Sequence, residues 1–156
     1  MKPLPHAKYF EGILQLRNAD DAILNEIYEQ VAREGRAVIT REKRISGGVD
    51  LYFSNQHYLQ SFSQKLRRKY PALVKTNEKL VTVSKRTGKD LYRITVFFKI
   101  LPFNIGDTIE YQGENYYVQT MGKTVTLKAV KSGIKRHMLV EQLLLRHMRA
   151  QQSPSR

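Results

Sequence analysis

The sequence predicts an α+β protein: a mixed or antiparallel sheet with two helices, in the order β-α-β-β-α-β-β, followed by a small β-barrel. Three observations carry that prediction. Tyr92, Ile94, Val96, Phe98 and Ile100 alternate with Leu91, Arg93, Thr95, Phe97 and Lys99, the period of two that a strand requires. Ile23, Ile27 and Val31, and separately Leu59, Phe62 and Leu66, recur at helical spacing. Beyond Pro102, short β-rich runs recur at intervals of roughly ten residues with turn residues between them. The expected division is an α+β domain over 7–101, a β domain over 102–150 and a frayed polar tail over 151–156.

Lys8 to Arg17 reads as the first strand, with Phe10, Leu14 and Leu16 on one face and Tyr9, Glu11, Ile13 and Gln15 on the other. Asn18 to Asp21 offers short side-chain acceptors for the orphan N–H groups of a helix start. The helix runs from Ala22 to Glu34, with Leu24 and Tyr28 flanking its stripe, and Gly35 stops it. Ala37 to Ile45 is a second strand ending in Arg41, Lys43 and Arg44. Ser46-Gly47-Gly48 is a turn and Val49 to Ser54 a third strand. Asn55 caps a helix from Gln56 to Lys69, whose last turn holds Lys65, Arg67, Arg68 and Lys69. Cations suit the negative end of a helix, and Pro71 bars its continuation.

Leu73 to Ile100 then forms a β-hairpin around the tight basic link Lys85-Arg86-Thr87-Gly88-Lys89. Its tip presents Lys85, Arg86, Lys89 and, just beyond, Arg93, while Tyr92, Ile94 and Val96 serve as scaffold. In the second domain the runs are Ile105–Ile109, Tyr116–Val118, Thr124–Ala129 and Ile134–Val140. Leu139 to Arg149 suits either a short closing helix or a strand extension.

Charge narrows the function. The 156 residues carry a formal net charge of +13, which calls for a polyanionic partner. Met1 to Glu34 holds four Lys/Arg against six Asp/Glu, Gly35 to Lys99 fifteen against four, and Ile100 to Arg156 eight against four. The partner surface is therefore expected on the middle third. The absence of Cys excludes disulfides, thiolate zinc sites and cysteine nucleophiles. No apolar run reaches transmembrane length, and the apolar stripe of the basic helix 56–69 is narrow and needed by the sheet, so no membrane partner is expected.

Catalytic signals are sparse. His6, His57, His137 and His147 lie far apart and show no ligand spacing, so no metal is expected. Nucleophile-elbow, P-loop and dinucleotide fingerprints are missing, so neither a cofactor nor a small-molecule substrate is expected. Asp50, after two glycines, is the one carboxylate placed as active-site acids can be, though such an Asp more often caps a turn or pairs with an Arg. Cationic clusters at 41–44, 65–69 and 85–93 suit RNA phosphates, which supply salt-dependent affinity without sequence information. Tyr52, Phe53, Tyr58, Tyr70 and Tyr92 lie near them, and at most one is expected to stack on a base. RNP and GXXG signatures are missing, which favours structured RNA recognised by shape and backbone.

The motif order resembles a known family. Lys8-Tyr9-Phe10-Glu11-Gly12-Ile13-Leu14-Gln15-Leu16-Arg17-Asn18 is similar to the strand motif of the large-ribosomal-subunit export adaptors, the Nmd-three family. Gly48-Val49-Asp50-Leu51-Tyr52-Phe53, Thr87-Gly88-Lys89-Asp90-Leu91-Tyr92-Arg93-Ile94-Thr95-Val96 and Ile105-Gly106-Asp107 follow in the family's order, so the resemblance spans roughly 8–130. It implies a ribosomal-protein-like α/β domain followed by an SH3-like β-barrel. It also implies binding to the large subunit in late maturation or subunit-joining control. The family carries an N-terminal pair of Cys-x-x-Cys zinc motifs that are not found in this sequence, so the resemblance implies either a piece of a longer member or a short archaeal type without the zinc module.

The reading is a cytoplasmic, monomeric, non-enzymatic protein that docks on large-subunit rRNA and proteins. Its RNA contacts would be Arg41, Lys43, Arg44, Lys65, Arg67, Arg68, Lys69, Lys85, Arg86, Lys89 and Arg93, with the first-domain clusters on or near one surface. Lys123, Lys128, Lys131, Lys135 and Arg136 would add a second contact. The alternatives are an RNA-processing or tRNA-hydrolysing enzyme using Asp50 and His57, and a general nucleic-acid-binding protein.

Overall fold

The computed structural model describes residues 3–83, 88 and 90–152, and the side chains of these other than 82, 83 and 147–152. Two compact units divide at Ile100/Leu101. The first contains β1 (Gly12–Arg17), α1 (Asp21–Glu34), β2 (Ile39–Ile45), β3 (Gly48–Phe53), α2 (Gln56–Lys69), β4 (Ala72–Val83) and β5 (Asp90–Ile100), in the predicted order. The sheet runs β2-β3-β1-β5-β4. β1 pairs parallel with β5, and the other three pairings are antiparallel. Each helix therefore connects two parallel, non-adjacent strands: α1 links β1 to β2, and α2 links β3 to β4.

Local chemistry sets the helix ends. Asp20 accepts the Ile23 N–H at 2.9 Å, and Asn55 accepts the Tyr58 N–H at 3.0 Å. Gly35, at φ 65°, returns its N–H to the Val31 carbonyl. No acid lies in the first turn of α2. Glu11 supplies one from outside: its Oε1 accepts the Gln56 N–H at 3.0 Å, placing negative charge at the positive helix end.

Strand alternation puts the core on one face of the sheet. Leu14 and Leu16, Val49, Leu51 and Phe53, and Ile94, Val96 and Phe98 are buried with Leu24, Ile27 and Val31 of α1 and Tyr58, Leu59, Phe62 and Leu66 of α2. Burying each large apolar side chain contributes about 1.5–3 kcal/mol. A Cβ on Gly12 would lie 2.6 Å from Leu59 Cδ2 and 3.1 Å from the Ile94 carbonyl oxygen, so α2 packs closely against β1 there. Both helices use this face. The opposite one is helix-free among the described residues of the unit.

Two sequence expectations fail here. Phe10 does not share a face with Leu14 and Leu16. The chain bends at Glu11 and enters β1 only at Gly12, which reverses the alternation. The Phe10 ring meets Tyr52, a helix-free-face residue, edge to face at 4.8 Å. Tyr92 is not scaffold: it is 41% exposed and donates to Asp90 Oδ2 at 3.3 Å, because β5 outruns the helices at that end.

The second unit holds β6 (Thr108–Tyr111), β7 (Glu114–Met121), β8 (Thr124–Ala129), β9 (Lys135–Leu139) and α3 (Val140–Gln152). The strands form one antiparallel sheet in sequence order. Among the described residues β6 and β9 do not pair with each other, so this is an open sheet and not a closed barrel. Four short strands are few for closure, and a helix supplies further apolar surface. Val140, Leu143 and Leu144 of α3 are buried, as are Ile109, Tyr116, Val118, Val125 and Leu127 of the strands. Residues 139–149 are thus mostly helical, and α3 extends into the region read as a frayed tail; 153–156 lie outside the described residues.

Candidate nucleic-acid interface

Cross-strand partners share a sheet face, so register decides which cations stand together. Arg41 lies opposite Tyr52, and Lys43 opposite Asp50. Gln15 joins Asp50 to Phe97, and Arg17 lies beside Lys99. Lys75 faces Phe97, and Lys79 faces Arg93. The helix-free face thus gathers Arg17, Arg41, Lys43, Lys75, Lys79, Arg93 and Lys99. Among the described strand positions its one carboxylate is Asp50, and Arg17 Nη1 holds that at 2.9 Å.

The opposite face sorts differently. Glu42 pairs with Leu51 and Arg44 with Val49, both core positions. Glu42 accepts the Tyr28 hydroxyl of α1 at 2.9 Å and pairs with Arg44 at 3.4 Å. The 41–44 cluster is therefore split by the pleat: Arg41 and Lys43 on the helix-free face, Arg44 beside the helices. The 65–69 helix end also lies on the helix side, where Lys65 pairs with Glu34 at 3.3 Å and Lys69 pairs with Glu26. Lys85, Arg86 and Lys89 lie outside the described residues.

Aromatic rings are interleaved with the cations. The Arg93 guanidinium carbon stands 4.0 Å from the Phe10 centroid, Arg41 5.1 Å from Tyr52 and Arg17 5.9 Å from Phe97. Of the other aromatics near the clusters, Phe53 and Tyr58 are buried in the core and Tyr70 donates to Glu26. Run-based reading missed Lys75, Lys79, Lys99, Phe10 and Phe97. For all but Phe10 the signal was present as alternate positions on two strands that pair.

Asp50 and His57 do not form an acid–base pair. Asp50 is bound to Arg17 on the helix-free face, whereas His57 sits in the first turn of α2, which covers the other. Among the described residues no group of three or more potential ligands could hold a metal.

In the second unit Lys128 stands opposite Lys135, with Tyr117 on its other side. Like charges directly opposed repel, and an anion between them relieves this. Arg136 pairs with buried Leu127 on the other face and donates to Gln112 Oε1 at 3.2 Å. Lys123 lies in the exposed β7–β8 turn. Lys131 and Arg136 line a cavity of about 460 Å³ with Glu114, Asn115, Tyr116 and Ser132.

The family model described as NMD3, second domain, matches residues 9–100, the unit that carries the cationic face. The chain belongs to the NMD3 family. This family is one of ribosome-associated adaptors linked to the large subunit. No curated protein matches the chain. The NMD3 match begins at Tyr9, which donates to Glu11 Oε2 at 2.5 Å, and ends at Ile100, the last residue of β5. It therefore takes in every strand that builds the cationic face.

Proposed function

We propose that this NMD3-family chain is a non-enzymatic RNA-binding protein that docks the helix-free face of its first unit on rRNA backbone of the large subunit, in late maturation or subunit-joining control. The sorting of charge by sheet face supports this most strongly: among the described strand positions seven cations and one already paired carboxylate share one surface, while strand acids Glu42 and Glu78 fall on the other. Lys and Arg in such a field bind phosphates by counterion release. Arg41, Lys43 and Arg93 are the main contacts, Lys75, Lys79 and Lys99 extend them, and Lys85, Arg86 and Lys89, which follow β4 in sequence, are taken as further contacts. Lys128 and Lys135 give the second unit its own phosphate contact. The protein acts as a cytoplasmic monomer of the archaeal type.

Co-sedimentation with purified large subunits, small subunits and free duplex RNA tests the reading. Preferential binding to large subunits, lost in Arg41→Glu/Lys43→Glu/Arg93→Glu with the fold intact by circular dichroism, is the expected result. Equal binding to both subunits and the free duplex points instead to a general nucleic-acid-binding protein.

A further inference from the structure

The aromatics on the helix-free face are arranged for more than backbone contact. Arg93, Phe10, Tyr52 and Arg41 form a continuous row: guanidinium over ring at 4.0 Å, ring against ring at 4.8 Å, ring under guanidinium at 5.1 Å. Phe10 and Tyr52 are partly exposed and stand outside the core that joins sheet to helices. The bend at Glu11 turns Phe10 away from the helices, although a continued strand would have buried it beside Leu14.

An arginine lying on an aromatic face occupies the position of a stacked base. Its long side chain moves without disturbing the sheet, and its charge is matched by a phosphate. We infer that Phe10 is a stacking platform for an unpaired base of the bound RNA, which displaces the Arg93 guanidinium from the ring and leaves it to pair with that nucleotide's phosphate. This rests on the reading of the face as an RNA surface and names what that surface takes: a single-stranded or looped-out nucleotide set among phosphates. The cationic surroundings select a nucleic acid over an apolar peptide, because every ring of the row borders a guanidinium. Edge-to-face contact with Tyr52 holds the Phe10 ring in place, and a base has a π-face whatever its identity, so the site is expected to tolerate all four.

The probe is a pair of RNA hairpins of equal length and charge, one fully paired in its stem and one with a looped-out 2-aminopurine. The intact chain is expected to bind the looped-out RNA more tightly and to quench its fluorescence. Phe10→Leu, which keeps an apolar side chain but no π-face, should reduce the preference for the looped-out RNA by about tenfold, in line with the contribution of one stacked base. Arg93→Lys, which keeps the charge and loses the planar group, should retain the quench. Equal affinity for both hairpins, or a preference and quench unchanged by Phe10→Leu, overturns the stacking site while the phosphate surface stands. Binding of both hairpins unaffected by Arg41→Glu/Lys43→Glu removes the surface itself and the stacking site with it.

Discussion

Arg17 Nη1 donates to Asp50 Oδ1 at 2.9 Å across the middle of the helix-free face, with side chains only 17% and 14% exposed. The pair is diagonal: Arg17 lies opposite Gly48, and Asp50 lies opposite Gln15. It ties β1 to β3 and neutralises the strand carboxylate that would otherwise repel a phosphate. Because both groups are mostly withdrawn from water, removing one leaves the other poorly solvated. Asp50→Ala is expected to lower unfolding free energy by about 1–3 kcal/mol, between the values for exposed and buried pairs. Arg17→Met combined with Asp50→Leu should lose less than Asp50→Ala alone. Urea denaturation of the three variants checks the order.

Gly48 makes that pair possible. A Cβ there would sit 2.1 Å from the Leu16 carbonyl oxygen and 2.9 Å from Arg17 Cδ, so backbone as well as side chain would have to move. At Gly12 the closest obstacle is a flexible leucine tip. Gly48→Ala is thus expected to destabilise by about 2–3 kcal/mol, and Gly12→Ala by less, since rotation of Leu59 relieves most of the overlap. Thermal unfolding that ranks Gly12→Ala as the worse variant contradicts the packing described for the β1–β3 ladder.

How much of this could be read in the residues depended on whether the signal was local. α2 was legible to the residue because Asn55, the 59/62/66 spacing and Pro71 all act within a few positions. The order of elements along the chain was legible because each alternating run is bounded by its own turn, but the sheet order, with β1 between β3 and β5, was not. The cationic face was not. Arg41, Lys43 and Arg44 form one run in sequence, but a strand sends neighbours to opposite faces, so the run is two sites. Lys75, Lys79 and Lys99 look scattered until β4 pairs with β5 and brings them onto one surface. Phe10 was misassigned because one bend, at Glu11, inverts the period on which its placement relied. Those three facts are long-range or conformational, and composition carries none of them.

Two phenols predict an alkaline limit to stability. Burial, reinforced by the hydrogen bond to Glu42, pushes Tyr28 up to about 12, and burial with the bond to Glu11 does the same for Tyr9. The unfolded phenols lose their protons near pH 10, so between about pH 10 and 12 the unfolded state holds fewer protons than the native one. Stability is unaffected by these groups below that window and falls as pH rises through it. Denaturation midpoints measured from pH 8 to 11.5 should be flat and then decline. Tyr28→Phe should make the decline shallower, and absorbance at 295 nm should show late-titrating phenolates only while the fold persists.

The split of the 41–44 run gives the sharpest test of the face. Arg41, Lys43 and Arg44 contribute identical formal charge within four residues, so an unstructured basic patch would lose the same affinity from any of them. In the folded sheet Arg41 and Lys43 accompany Arg93, while Arg44 pairs with Glu42 beside α1. Arg41→Gln and Lys43→Gln should each lower the slope of log affinity against log salt by about 0.7–0.9, the contribution of one phosphate contact, and the double variant by about twice that. Arg44→Gln should leave the slope where it was. The readout is large-subunit binding titrated from low to physiological salt. Equal loss from all three substitutions would show that net charge, and not the helix-free face, governs binding.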